Sequence, residues 1–147
     1  AIVTAVDDSP RRIERLKENM ERLKFSPEII CDDARNVKGE FDAVLLDAPC
    51  TATGTIGKNP DVIFTRTPED VKEMAATQRT LIDAAYGKLK KGGVLVYATC
   101  SLQYEECEGQ VKKLDKWKLE EEKRILPSLY AEHGGTGGFY CARLIKL

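Results

Sequence analysis

Histidine and tryptophan are almost missing from this chain: its 147 residues hold one of each, His133 and Trp117. The five cysteines, Cys31, Cys50, Cys100, Cys107 and Cys141, are scattered, and no two of them form a Cys-x-x-Cys pair. Without paired thiolates or histidines no metal site is expected. An odd, dispersed set of thiols fits a reducing, cytoplasmic setting. No stretch reaches the roughly 18 consecutive apolar residues of a membrane span, and no signal-peptide pattern opens the sequence. No membrane partner is therefore expected. Charge of one sign is lacking too: Lys+Arg 23 against Asp+Glu 24 gives a net charge of -1. Autonomous RNA-binding domains are more often basic, although a basic groove can coexist with an acidic far side. A phosphate loop is also absent. In Gly54-Thr-Ile-Gly57-Lys58-Asn59 the glycines stand too close together, and Asn59 occupies the place of the Ser/Thr that would hold magnesium.

What is present is a hydrophobic share of 42%, enough for a packed core in one domain's length of chain. Ile2–Asp7 reads as a strand ending in an acidic residue. Ser9-Pro10 offers an N-cap and a proline at the first helical position. Ile13, Leu16, Met20 and Leu23 make residues 11–24 an amphipathic helix. Glu28–Cys31 is a short strand, and Asp42–Asp47 a third, buried one. Residues 48–67 form a loop long enough to imply function. Residues 68–89 read as a helix stopped by Lys90-Lys91-Gly92-Gly93. A strand over 93–99, a helix over 104–117, and strands over 119–126 and 138–147 complete the alternation. This pattern predicts a doubly wound α/β sheet.

Two strand-like runs end on cysteines. Asp42-Ala-Val-Leu-Leu-Asp47-Ala-Pro49-Cys50 is the first, and Gly93-Val-Leu-Val-Tyr-Ala-Thr-Cys100-Ser101 the second. Ligands of open parallel sheets bind outside the carboxyl ends of strands. Two thiols there, with Asp47 close to one of them, point to nucleophilic catalysis on an electrophilic carbon. Pro49 fixes the backbone before Cys50. The acidic turn Glu105-Glu106 opens a helix whose dipole favours a Cys100 thiolate. A buried cysteine is otherwise a small hydrophobe, and that is the reading for Cys31 and Cys141. Asp7 is placed to accept from ribose hydroxyls, or simply flanks a helix; the signal alone is weak. Asp33 is placed to accept from an exocyclic amine, or sits in a solvated Asp-Asp turn. Lys58 is a candidate contact for an RNA phosphate. His133 reads as a loop residue, and Trp117 with Tyr130 makes no aromatic stripe for base stacking.

Taken together, Ala5-Val-Asp7, Asp33, Asp47-Ala-Pro-Cys50-Thr-Ala-Thr-Gly54, Lys58-Asn-Pro60-Asp61, Gln78 and Gly92-Gly-Val-Leu-Val-Tyr-Ala-Thr-Cys100-Ser101 resemble the RNA cytosine-5 methyltransferases of the Sun/Nop2 (NSUN, Fmu) family. The ending His133-Gly-Gly-Thr-Gly-Gly-Phe-Tyr-Cys-Ala-Arg-Leu is similar to that family's last hairpin. The resemblance implies a Rossmann-like methyltransferase sheet with helices on both faces. It implies methyl transfer from S-adenosylmethionine to C5 of a cytosine in RNA, ribosomal or transfer, by a protein that is monomeric at full length. It implies that Cys100 is the nucleophile, that Cys50 assists product release, and that Asp47 contacts both the cytosine edge and the cofactor. Asp7 and Arg12 then hold the cofactor ribose, Asp33 its adenine, and Pro49 and Lys58 the RNA.

The family's glycine-rich cofactor loop has no counterpart in the sequence. A strand ending in an acidic residue is ordinarily the second of such a fold, so residues 1–147 are expected to form a single, incomplete catalytic domain that is inactive alone. A non-catalytic RNA-binding or assembly module keeping the fold is the main alternative, but it has no need of two thiols at strand ends. Methylation of an exocyclic amine needs no cysteine, and usually has an aromatic residue where Cys50 stands.

Overall fold

The computed structural model describes all residues except Lys113, Tyr130, Ala131 and His133. The readings of Tyr130 and His133 lie outside the described residues. The chain divides into two compact units, residues 1–39 and 40–147.

In the first unit, strand β1 (Thr4–Asp7) pairs in parallel with β2 (Glu28–Cys31), with Asp7 opposite Cys31. Helix α1 (Pro10–Leu23) connects them. The Ser9 side chain accepts from the Arg12 amide, and Pro10 takes the first helical position, where its missing N–H costs nothing. The helix ends where Lys24 turns left-handed at φ 60 and returns its N–H to Glu21 and Met20. Cys31 is exposed rather than buried. It closes a short strand of a two-stranded sheet, and so little surface covers it.

The second unit carries a four-stranded sheet in the order β3-β4-β6-β5. These strands are β3 (Phe41–Asp47), β4 (Leu89–Thr99), β5 (Trp117–Ile125) and β6 (Phe139–Lys146). The β3–β4 pair is parallel, and β6 runs antiparallel to both of its neighbours. Between β3 and β4 lie a 3-10 turn (Thr53–Thr55), the short α2 (Val62–Thr65) and the long α3 (Pro68–Lys88). Thr67 and Asp70 form a reciprocal capping box at the start of α3, with Pro68 just inside it. The core gathers Ile82, Leu89, Leu95, Tyr97, Tyr140 and Leu144, all at most 1% exposed. Trp117 packs edge-on against Tyr86, with ring centroids 5.2 Å apart.

Three sequence expectations are corrected. First, β3 is not buried: Leu45 is 73% exposed, because among the described residues only β4 pairs with this strand. Second, the helix expected over 104–117 breaks into a 3-10 turn (Tyr104–Glu106) and a short α4 (Glu108–Val111), and Trp117 opens β5. Glu106 and Cys107 are both fully buried, and Cys107 between the two turns leaves helical geometry at φ -116, ψ -108. Tertiary hydrogen bonds to Glu106 outweigh the local helical pattern, which Gly109 already weakens. Third, β4 begins at Leu89, directly after α3. The strand bulges there: Leu89 faces Phe41 and Val94 faces Ala43, a register shift within which Gly92 takes φ +76.

Candidate active site

Parallel register decides which loops meet. Asp47, the last residue of β3, stands opposite Ala98 near the end of β4. Both strands leave the sheet at the same end, and the Ala48 amide still donates to the Ala98 carbonyl at 2.9 Å. The chain then carries Cys50 and Cys100 into contact, with their sulfurs 3.3 Å apart. Both side chains are half-buried.

Two loops sharing one place need close backbone approach. The Gly54 amide donates to the Cys100 carbonyl at 2.9 Å, and the Gly138 amide to the Gly54 carbonyl at 2.6 Å. A Cβ on Gly54 would fall 2.3 Å from the Gly138 oxygen and 2.6 Å from the Cys100 oxygen. Only glycine fits there. The Thr53 hydroxyl accepts from the Leu102 amide at 2.9 Å and lies 3.1 Å from the Ser101 hydroxyl, stitching the loops together again.

Beneath the thiols lies a carboxylate that the sequence reading missed. Glu106 is fully buried. Its Oε1 accepts from the Thr51 amide (2.9 Å) and from Gln78 Nε2 (3.1 Å). Its Oε2 accepts from the Thr51 and Ser101 hydroxyls, each at 2.5 Å. Gln78 Nε2 also donates to the Pro49 carbonyl at 2.8 Å, and the Tyr97 hydroxyl donates to the Glu106 carbonyl at 2.7 Å. Nothing in the sequence distinguishes Glu106 from the exposed Glu105 beside it; only the tertiary fold turns one inward.

The thiols differ electrostatically. A hydrogen bond from Cys50 draws the Cys100 thiol down from an ordinary 9.0 to about 7, against the opposing effects of partial burial and of the Asp47 and Glu106 charges. Cys50 moves the other way, because it donates that bond and is the more buried of the two. The single 3-10 turn at Tyr104–Glu106 is no helix with a dipole to lend. The thiolate-stabilising group is the second cysteine. Burial instead pushes Cys107 up to about 11, which marks it as a structural thiol.

Of the other residues singled out by sequence, Asp47 and Pro49 are exposed at the mouth of the same loop, and Lys58 is exposed farther along it. An open cleft lined by Thr53, Val62, Arg66 and Gln103 lies beside the thiol loops. In the first unit, Arg12 Nε bridges both Asp7 oxygens at 2.9 and 2.7 Å, and the Ser9 amide donates to Asp7 at 2.7 Å. The Arg12 guanidinium holds the Asp7 carboxyl below its usual range. Asp33 is paired with Arg35 at 2.5–3.1 Å. Among the described residues no group of His, Cys, Asp and Glu could hold a metal ion, and no helix is long and apolar enough to cross a membrane.

Such a sheet, with its loops gathered at the carboxyl ends of parallel strands, is that of the Rossmann-like methyltransferases. The solved structure of NSun6 from Pyrococcus horikoshii with SFG superposes at a TM-score of 0.86 and 36% identity, covering 99% of this chain and 41% of that one. A methyltransferase homolog protein from Pyrococcus horikoshii superposes at 0.84 and 28% identity, covering 100% and 54%. The family model described as 16S rRNA methyltransferase RsmB/F matches residues 1–145, and the chain belongs to that family. Ribosomal RNA small subunit methyltransferase B of Vibrio vulnificus is 46% identical over 155 residues, 98% of this chain and 36% of its relative. The chain thus spans about a third of the length of such curated relatives.

Proposed function

We propose that this chain forms part of the catalytic domain of an S-adenosylmethionine-dependent RNA methyltransferase that modifies C5 of cytosine. The observation that carries the reading is the contact of two unlike thiols at the ends of adjacent parallel strands. C5 of cytosine is a poor nucleophile. A Cys100 thiolate attacking C6 forms an S–C6 bond and makes C5 enamine-like, able to accept a methyl group. A base, such as solvent water or hydroxide, must then take the C5 proton; its electron pair restores the C5–C6 double bond and the S–C6 pair leaves on sulfur as the Cys100 thiolate. Cys50, which keeps its proton near neutral pH, is the group to assist that release. Asp47 accepts from the cytosine's polar edge.

The residues assigned to the cofactor suit it chemically. Among the described residues Asp7 Oδ2 receives only the Arg12 Nε bond, so a carboxylate with further acceptor capacity stands at a strand's carboxyl end, as a ribose diol requires. Arg12 orients that carboxylate, and Asp33, which Arg35 already engages, is assigned to accept from an adenine amine. When bound, S-adenosylmethionine supplies an electrophilic methyl group. The RsmB/F family and the Vibrio relative support ribosomal RNA as the substrate class. Pro49 and Lys58 are assigned to RNA.

RNA containing 5-fluorocytosine tests the mechanism, because fluorine at C5 cannot leave as a proton and the adduct persists. The full-length protein should form a denaturant-resistant adduct with such RNA and S-adenosylmethionine. Cys100→Ala should form none, and Cys50→Ala should accumulate an adduct even with ordinary RNA. Absence of any adduct while cofactor binding remains measurable would overturn the covalent route.

A further inference from the structure

The carboxylate under the thiols has no role in the reaction as proposed, yet its placement is costly. Glu106 is fully buried, and its four partners are neutral donors: the Thr51 amide and hydroxyl, Gln78 Nε2 and the Ser101 hydroxyl. A buried carboxylate without a cation is expensive unless every acceptor position is used. Here each carboxyl oxygen has two partners, so all four acceptor positions are used. An apolar side chain would fill the space at lower cost, so structural filling alone does not account for it.

The identity of the partners supplies the account. Thr51 directly follows Cys50, and Ser101 directly follows Cys100. One side chain therefore grips both cysteine-bearing loops, one step from each sulfur. Gln78 adds a third arm, since the amide that donates to Glu106 also donates to the carbonyl of Pro49, the residue before Cys50. We infer that Glu106 is the positioning residue of the two-thiol site, a clamp that fixes the Cys50–Cys100 separation on which the reaction proposed above depends.

The clamp rests on that reading for its purpose, but it is measurable without methyl transfer. Sulfurs 3.3 Å apart need to close only to the bond length of about 2.0 Å to form a disulfide. Diamide takes two electrons and two protons from a thiol pair, so the rate at which it joins Cys50 to Cys100 reports how well the pair is held. In the full-length protein, Glu106→Ala should slow that joining by about tenfold or more, as loss of orientation does for any proximity-driven step. It should lower kcat with little change in KM for RNA. Glu106→Gln is isosteric: its carbonyl can accept from the Thr51 amide and Gln78, and its amide can donate to the two hydroxyls, so it should rescue most of both. Gln110→Ala is the control. Gln110 is also buried and donates to the Ala75 and Glu105 carbonyls; it braces the backbone beside Glu106 but supplies none of the four bonds to its carboxylate. It should lower Tm and leave thiol joining within about twofold of wild type, because all four arms of the clamp remain.

Should Glu106→Ala not fold, Ser101→Ala removes one arm of the clamp, together with the hydroxyl's contacts to Thr53 and the Gln103 amide, and should slow joining in a protein that still melts cooperatively. The clamp is overturned if these variants join their thiols at the wild-type rate, or if Gln110→Ala slows joining as much as they do. A wild-type protein that joins its thiols through an intact clamp but methylates no RNA would instead overturn the proposed function.

Discussion

Cys50 and Cys100, fifty positions apart in sequence, hold their sulfurs 3.3 Å from each other, and the contact divides labour between them. Cys50 donates a hydrogen bond, and Cys100, at about 7, becomes the one with thiolate character near neutral pH. Removing the donor removes the largest cause of that shift. The pH–rate profile of Cys100 alkylation by iodoacetamide should therefore have its midpoint near pH 7 in the wild type. In Cys50→Ala it should move up toward the 9.0 of an ordinary thiol. A midpoint that stays put would place the origin of the shift elsewhere.

Gly54 is the second place where the two loops depend on one atom's absence. Any Cβ there meets backbone, not a side chain that can swing away: the Gly138 and Cys100 oxygens at 2.3 and 2.6 Å. Gly54→Ala should destabilise the protein by about 3 kcal/mol, the upper end of the roughly 1–3 kcal/mol typical of forced overpacking, because the clash is with backbone. It should also break the Gly138-to-Gly54 hydrogen bond. Urea unfolding measures the first effect. Faster amide exchange at Gly138 than in the wild type reports the second.

The site was legible in the sequence to the extent that it is local. Asp42–Asp47 and Gly93–Thr99 are apolar runs ended by turn chemistry, and a parallel arrangement brings their cysteines to one end of a sheet. The failures share a cause. The composition of β3, Val44-Leu45-Leu46, predicts a buried strand, but burial depends on neighbours that composition cannot count. The Tyr104–Trp117 segment has helical spacing and an acidic first turn, yet three hydrogen bonds from Thr51 and Gln78 and one from Ser101 pull Glu106 inward and break it. Those partners lie up to 55 residues away, beyond the reach of any periodicity. Burial of the Cys107 thiol has the same long-range origin, while Cys31, whose strand-like run predicts a core residue, is exposed.

Gln78 tests how tightly the buried polar cluster is coupled. Its Nε2 serves both the Pro49 carbonyl and Glu106, while its Oε1 has no partner among the described residues. Gln78→Leu conserves volume but leaves two acceptors short of a donor, and it also removes one unsatisfied oxygen. The balance should be a loss of about 2 kcal/mol. Gln78→Glu should cost more, because it sets a second carboxylate against Glu106. Denaturant midpoints for the pair decide this. A Glu variant as stable as the Leu variant would mean that the cluster is not tight enough to register the added charge.

Lys58 carries the prediction that bears on RNA. It lies at the tip of the loop after Cys50, where its amide donates to the Thr55 carbonyl at 2.8 Å and Asn59 Nδ2 to the Thr55 hydroxyl at 3.1 Å. The backbone there is pinned while the ammonium is exposed. A positioning contact to phosphate adds affinity without sequence information. Lys58→Ala should therefore weaken RNA binding by a few-fold. It should flatten the dependence of log K on log salt by about 0.7–0.9, one phosphate's share. Adduct formation at saturating RNA should be unchanged, because the residue has no part in the thiol chemistry. Anisotropy titrations across a salt series separate the cases. A weaker affinity with an unaltered salt slope would mean that Lys58 shapes the loop rather than meeting a phosphate.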